Sequence, residues 1–242
     1  MIRTAFISFT LLIGLASCSG DSESGIDNSN NEKYVHIPPE IPQSTYDQLQ
    51  DGDVVIRKGA GPLSFHLMNN TKENYSHCGI VVKEKGEWTV IHTIGGTSSE
   101  ESIDGVQTQP LKEFVANAAD SMFYICRPVF IDSAGTKVAE RARHYLDLEV
   151  PFDHRFSIFT TDELYCTELL FYIFRDIGGK DVFVVEKKHK SYMLMFETFF
   201  RTKNFTPLFH LKDLGGNEEK ILDKIKEGTY SPSTLEPTGV EE

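Results

Sequence analysis

The chain has 242 residues, of which 40% are hydrophobic and 11% aromatic, enough for one sizeable core with tails to spare. Its formal net charge of −12 argues against nucleic-acid binding, which needs a basic face. Beyond that exclusion, such acidity speaks to solubility and names no partner.

The N-terminus, "MIRTAFISFTLLIGLASCSGDSES", carries one arginine, a short apolar run and then small residues. This is the pattern of a signal peptide over residues 1–17, too short for a comfortable membrane span. The run closes on "LASC", which resembles a bacterial lipobox and implies that Cys18 is lipidated and becomes the first mature residue. The alternative is an ordinary signal peptide with a stray cysteine. Lipidation would place the protein in the bacterial cell envelope, anchored to a membrane on the periplasmic or outer side. Residues 18–40 are polar and read as a flexible tether. The cysteines are 18, 78, 126 and 166. With Cys18 modified, three remain, and an odd thiol in an exported protein either pairs externally or stays free and reactive. Cys78 and Cys126 are expected in the core, with a disulfide between them left open. No C-x-x-C spacing appears, so neither a metal nor a cofactor is expected.

After the proline-rich "HIPPEIP", residues 44–50 suggest a short helical turn, and "DGDVVIRKG" reads as a strand bounded by turn residues. Residues 61–70 suggest a short helix opened by Pro62. "SHCGIVVKE" and "EWTVIHTI" are two strands joined at Lys85-Gly86, a hairpin signal. "SMFYICRPVF" is a further strand stopped by Pro128. Val138, Ala142, Tyr145 and Leu146 form a helical stripe within 136–148. "LEVPFDHRFSIFTTDE" is a loop. Cys166, Leu169, Leu170, Ile173, Phe174 and Ile177 then line one face of a helix that stops at Gly178-Gly179, with Thr161 or Asp162 available to cap its start. "DVFVVE" is a late strand, and residues 190–201 are aromatic and of ambiguous type. The folded domain is expected over 41–226, followed by a disordered tail over 227–242. The pattern is α+β with a mainly antiparallel sheet.

A thiol at a helix start meets unpaired N–H groups and the positive end of the helix dipole, and a nearby imidazolium would favour the thiolate further. Cys166 is therefore a candidate nucleophile for acyl transfer, with helix-end N–H groups available to an oxyanion. His77 and His92, on successive strands, are candidates for its base and for the residue that orients the base. Each also has an ordinary explanation: a small buried hydrophobe, or a strand histidine bonded to backbone.

"SHCGIVV…EWTVIHT" resembles the histidine strands of the NlpC superfamily of papain-like cysteine hydrolases. "DGDVVI" resembles the strand preceding them, and "LYCTELLF" the nucleophile helix. Here the cysteine follows the histidines, the order of the circularly permuted YiiX-like branch, and "VPFDHRF" resembles that branch's G-x-P-Y-D-x-x-F. The resemblance spans about residues 50–175. It implies a permuted papain-like fold, Cys166 as nucleophile, His77 as general base and His92 as orienting residue. Phe152 stands where the branch often has tyrosine, and Thr167 where it has serine. Tyr165 is a candidate for the oxyanion side chain. Asp153 is a candidate to fix its loop or to meet a substrate amine, the structural role being favoured.

The resemblance implies an exported hydrolase acting on cell-wall peptide amides. A relation in fold to lecithin:retinol acyltransferases raises a second substrate, lipid acyl groups, which an apolar groove lined by "FSIF" and "YMLMFETFF" would favour, although those stretches could equally be ordinary core. A third alternative is a binding module that kept the fold without the chemistry. The sequence fixes no oligomeric state.

Overall fold

The computed structural model describes residues 39–96, 103–188 and 191–210. The signal peptide, Cys18, nearly all of the tether and the C-terminal tail lie outside these residues. Among the described residues the elements are α1 (Gln43–Tyr46), β1 (Asp53–Arg57), α2 (Pro62–Thr71), β2 (His77–Glu84), β3 (Glu87–Ile94), β4 (Gly105–Pro110), α3 (Leu111–Ala116), β5 (Phe123–Pro128), α4 (Ala134–Asp147), α5 (Cys166–Asp176), β6 (Val185–Lys188), β7 (Ser191–Leu194) and β8 (Phe205–His210).

β4-β3-β2-β1-β5-β8 form a six-stranded sheet, every pairing antiparallel, and β6-β7 form a separate ribbon. The β2–β3 hairpin turns at Lys85 and Gly86, both with positive φ, as the sequence suggested. Helices pack on both faces of the sheet. Val54 and Ile56 of β1 and Cys78, Ile80 and Val82 of β2 share a cluster with Val138 and Ala142 of α4 and Leu169, Leu170, Ile173 and Phe174 of α5. Val55 and Val81 point the other way, with Phe123 and Ile125, onto Leu111, Phe114 and Val115 of α3. All five residues of β1 are buried, because this central strand is covered on both sides. Each large apolar side chain so enclosed contributes about 1.5–3 kcal/mol. The fold is thus α+β, with a mainly antiparallel sheet between helices.

Two alternatives left open by the sequence are decided. "YMLMFETFF" is not a groove wall: Met195, Phe196, Phe199 and Phe200 are buried core residues. Cys78 and Cys126 are buried, but no disulfide can join them. Cys78 lies opposite Ile56 and Cys126 opposite Val54, with β1 between them. Two strand spacings, about 9–10 Å, exceed the roughly 7 Å Cα separation that a disulfide tolerates.

Candidate active site

α5 begins at Cys166 itself, with Tyr165 as its N-cap, not Thr161 or Asp162. Glu168, three residues on, reaches back to accept the Tyr165 N–H at 3.4 Å. The preceding residue is pinned from two sides. The Thr93 hydroxyl of β3 donates to the Leu164 carbonyl at 3.1 Å, and the Leu164 N–H donates to the Pro151 carbonyl at 2.9 Å. The far end closes in a Schellman turn, with the Gly179 N–H on the Phe174 carbonyl and the Gly178 N–H on that of Arg175. The thiol therefore sits on a helix fixed at both ends, in the turn where N–H groups are unpaired.

The Cys166 Sγ contacts the chain on both sides of His77. It donates to the Ser76 carbonyl at 3.8 Å and accepts a bond from the Cys78 thiol. That bond, with backbone N–H groups of Cys78, Thr167 and Cys166, draws the Cys166 thiol below its ordinary range against the opposing effect of burial. Burial and the same contact push the Cys78 thiol well up. Of the two sulfurs, Cys166 is the one disposed to ionise.

His77 and His92 do come together. His77 Nε2 lies 2.9 Å from His92 Nδ1, with the rings edge to face. Gly79 makes this approach feasible. A Cβ there would sit 2.4 Å from Val90 Cγ1 and 3.0 Å from the His92 Cβ, so any side chain would drive β3 off the histidine face. This is a physical reason for the glycine two residues after His77, and nothing in the local sequence pattern announces it.

No hydrogen bond joins Cys166 to His77. Strand alternation explains the gap. Cys78 faces α5, whereas His77 faces the opposite side and stacks on Phe114. His77 is the first residue of β2, where the sheet ends, and it and Cys166 line one cleft. The imidazoles are also not the cations that the sequence suggested. Burial, then His92 and Arg57, hold His77 well below the usual imidazole range. Burial, then Arg57, hold His92 near about 3.

The cleft has a volume of about 630 Å³, within the roughly 300–1,000 Å³ typical of small-ligand sites. Its apolar wall comes from Leu63 and Leu67 of α2, Ile94, Phe152, Phe156 and Tyr165. Burial, then Glu168, raise the Tyr165 phenol above its ordinary range. Asp153 is wholly buried, and its two oxygens accept the N–H groups of Arg155 and Ser157 at 2.7 and 2.6 Å. The structure places it as a clamp on its own loop. Two further residues went unnoticed in the sequence. His154 lines the cleft and pairs with Asp104 at 3.0 Å. Arg57 ends β1 directly opposite His77 and lines the same cleft.

A helix-borne cysteine packed beside strand-borne histidines, in the chain order histidine then cysteine, defines a permuted papain-like fold. The family model for permuted papain-like amidases of the YaeF/YiiX type, the C92 family, matches residues 48–203, and the chain belongs to that family. The crystal structure of the metalloprotein YiiX from Escherichia coli O157:H7 is similar, with a TM-score of 0.57 and 19% identity, covering 69% of this chain and 99% of that one. A shorter match, 29% identical over 117 residues, is to a tRNA (guanine(10)-N2)-dimethyltransferase of Methanothermobacter thermautotrophicus; it covers 46% of this chain and 33% of that protein. The chain thus spans about a third of the length of that curated relative.

Proposed function

We propose that the protein is a cysteine amidase in which Cys166 is the nucleophile, His77 the general base and His92 the residue that orients it. The observation that carries this is the 2.9 Å contact of buried His92 with His77, which lines the cleft that receives the first residue of α5. The base role selects a tautomer. If His77 Nδ1 is to accept the thiol proton, then Nε2 carries hydrogen and donates to His92 Nδ1, and His92 holds its proton on Nε2. A neutral His77 suits this role, since only the free base can accept.

In the proposed cycle Sγ attacks the carbonyl carbon, and the proton of a thiol that has not yet ionised passes to His77 Nδ1. Collapse breaks the C–N bond, and His77 returns the proton to the leaving amine. Water then attacks the thioester, gives a proton to His77, and releases the acid as the thiol is restored. The N–H groups at the start of α5 are disposed to bond the oxyanion. Catalytic contacts are often long before substrate binds, so the present gap between Cys166 and His77 must close in the complex. The structural neighbour is described as a metalloprotein. Among the described residues of this chain no group of three or more His, Cys, Asp or Glu could hold a metal ion, so no step is routed through one.

We further propose a lipid anchor at Cys18, the cell envelope as the site of action, and a cell-wall peptide as the substrate. A second reading, an acyl-lipid substrate, is favoured by Leu63, Phe65 and Ile94, which stay exposed at or beside the cleft. Murein peptides and lipid esters offered side by side to wild type and Cys166→Ala test both readings. Hydrolysis of one class, lost in the variant, is expected. Activity that survives in the variant would reject the nucleophile. Mass spectrometry of the mature N-terminus tests the anchor: a diacylglyceryl mass on Cys18 supports it, and cleavage elsewhere removes it.

A further inference from the structure

Arg57 is the buried arginine among the described residues, only 8% exposed, yet no carboxylate pairs with it. Its Nη1 donates to the Phe114 carbonyl at 2.8 Å, and its guanidinium lies 4.4 Å over the Phe114 ring. Its Nε is buried without any acceptor. Neither a carbonyl nor a ring supplies a full negative charge. A buried cation left in this state costs several kcal/mol unless an anion answers it.

The groups that could answer it are few. Beside Arg57 stand His77 and His92, both neutral for the reasons given above, and Phe114 of α3. Cys166 lines the same cleft as Arg57. The groups around that sulfur are the thiol of Cys78, the un-ionised phenol of Tyr165, and Glu168, which burial pushes up to about 8. His154, at the cleft rim, is engaged by Asp104. Burial lowers Arg57 to about 10, and the charge that pushes it back up is that of Cys166.

We propose that Arg57 is the fixed counter-cation of the Cys166 thiolate, a positioning residue that does what an imidazolium does in thiolate–imidazolium enzymes. The arrangement differs from an ion pair between cysteine and histidine in one testable respect. The resting thiol gives its proton to solvent and not to His77, so the imidazole is not needed for the thiolate to form. His77 then acts only during turnover: where the thiol has already ionised, it takes from solvent the proton that it delivers to the leaving amine. This deepens the assignment of Cys166 as nucleophile and rests on it, but it is read from the thiol and not from substrate.

The test is the pH profile of iodoacetamide alkylation at Cys166, resolved by peptide mass spectrometry in the full-length protein. Arg57→Gln, whose amide can still donate to the Phe114 carbonyl, should raise the midpoint by about one unit and slow alkylation below that midpoint about tenfold. Arg57→Lys, which keeps the charge, should restore most of the difference. His77→Ala should leave the thiolate titration in place, a check that requires no change at Arg57 and stands if Arg57→Gln fails to fold. The proposal is overturned if Arg57→Gln leaves the profile unchanged, or if His77→Ala removes the low-pH thiolate. Survival of hydrolysis in Cys166→Ala would instead reject the nucleophile itself, and alkylation profiles would not register that failure.

Discussion

The two ends of β1 are built on opposite terms. At its start, Asp53 is wholly buried and fully engaged: Arg127 holds its two oxygens at 2.8 and 2.9 Å, and the Gln50 N–H adds a third bond. At its end, four residues later along the same strand, Arg57 has no carboxylate and an idle Nε, and the neighbouring His92 keeps an unpartnered Nε2. Buried polar groups are normally satisfied. An end where the polar groups are paired holds the sheet together. An end where they are not holds unspent electrostatic potential beside a cysteine, the arrangement expected of a reaction site.

The comparison can be broken from the cleft end first. Cys166→Ala should reduce hydrolysis to background. His77→Ala should lower it by about 10²–10⁴-fold, the usual loss of a general base, while Cys166 still alkylates at neutral pH. Should labelling vanish with activity, the two ends would differ less than proposed, because His77 would then be part of a resting ion pair.

The closed end should respond in stability instead. Asp53→Ala leaves Arg127 unanswered, and breaking a buried pair costs about 3–5 kcal/mol. Arg127 reaches solvent, so the loss should fall at or below the lower end of that range. Urea unfolding reads this loss. The Cys166 alkylation profile should not move. A shifted profile would mean that the two ends communicate.

A smaller effect belongs to two buried carboxyls. Glu73 bonds the N–H groups of Phe196 and Glu197 and is pushed up to about 7 by burial, and Glu168 is pushed up to about 8 by burial. A carboxyl whose folded value lies above its unfolded value binds more protons when folded. Its stabilising contribution is whole below the unfolded value, near 4.5, and is lost as pH rises through the folded one. Between about pH 4.5 and 6.5 this fall is offset by His77 and His92, whose folded values lie below the unfolded one and whose contribution grows as pH rises, so the net decline should appear between about pH 6.5 and 8, by up to about 1.4 kcal/mol per pH unit for each carboxyl. Thermal melts across this window should show the decline, and Glu168→Gln should flatten its upper part. A flat or rising curve would contradict it.

The smallest predicted loss is at His92. His92→Gln can still accept the His77 N–H through its amide oxygen and should keep more activity than His92→Ala. Equal losses would remove the orienting role.

Much of this was legible in the chain, for identifiable reasons. β1, β2, β3 and β5 are rich in β-branched and aromatic residues between turn residues, and α4 and α5 carry clear helical stripes. β4, "GVQTQP", offers one large apolar residue and is an edge strand, so alternation had little to register. β8 contains Pro207, tolerated because the strand lies on the other edge beside a bulge. Cys166, His77 and His92 were visible as residue types on recognisable elements. Arg57 was not. It ends a strand as many arginines do, and its importance appears only in the structure, where its partners prove to be a carbonyl and a ring and its Nε has no acceptor. The neutrality of the imidazoles was likewise invisible, because it depends on how deeply Phe114 and β1 enclose them.

The central claim is that acyl groups pass through the Cys166 sulfur. Its most direct test is to mix the full-length protein with murein peptides or lipid esters, quench in acid within the first turnovers, and search every peptide for an acyl adduct by mass spectrometry. The account predicts a thioester on the peptide carrying Cys166, formed with wild type and absent from Cys166→Ala. An adduct on Cys78 or Cys126, or turnover by the alanine variant, would contradict it.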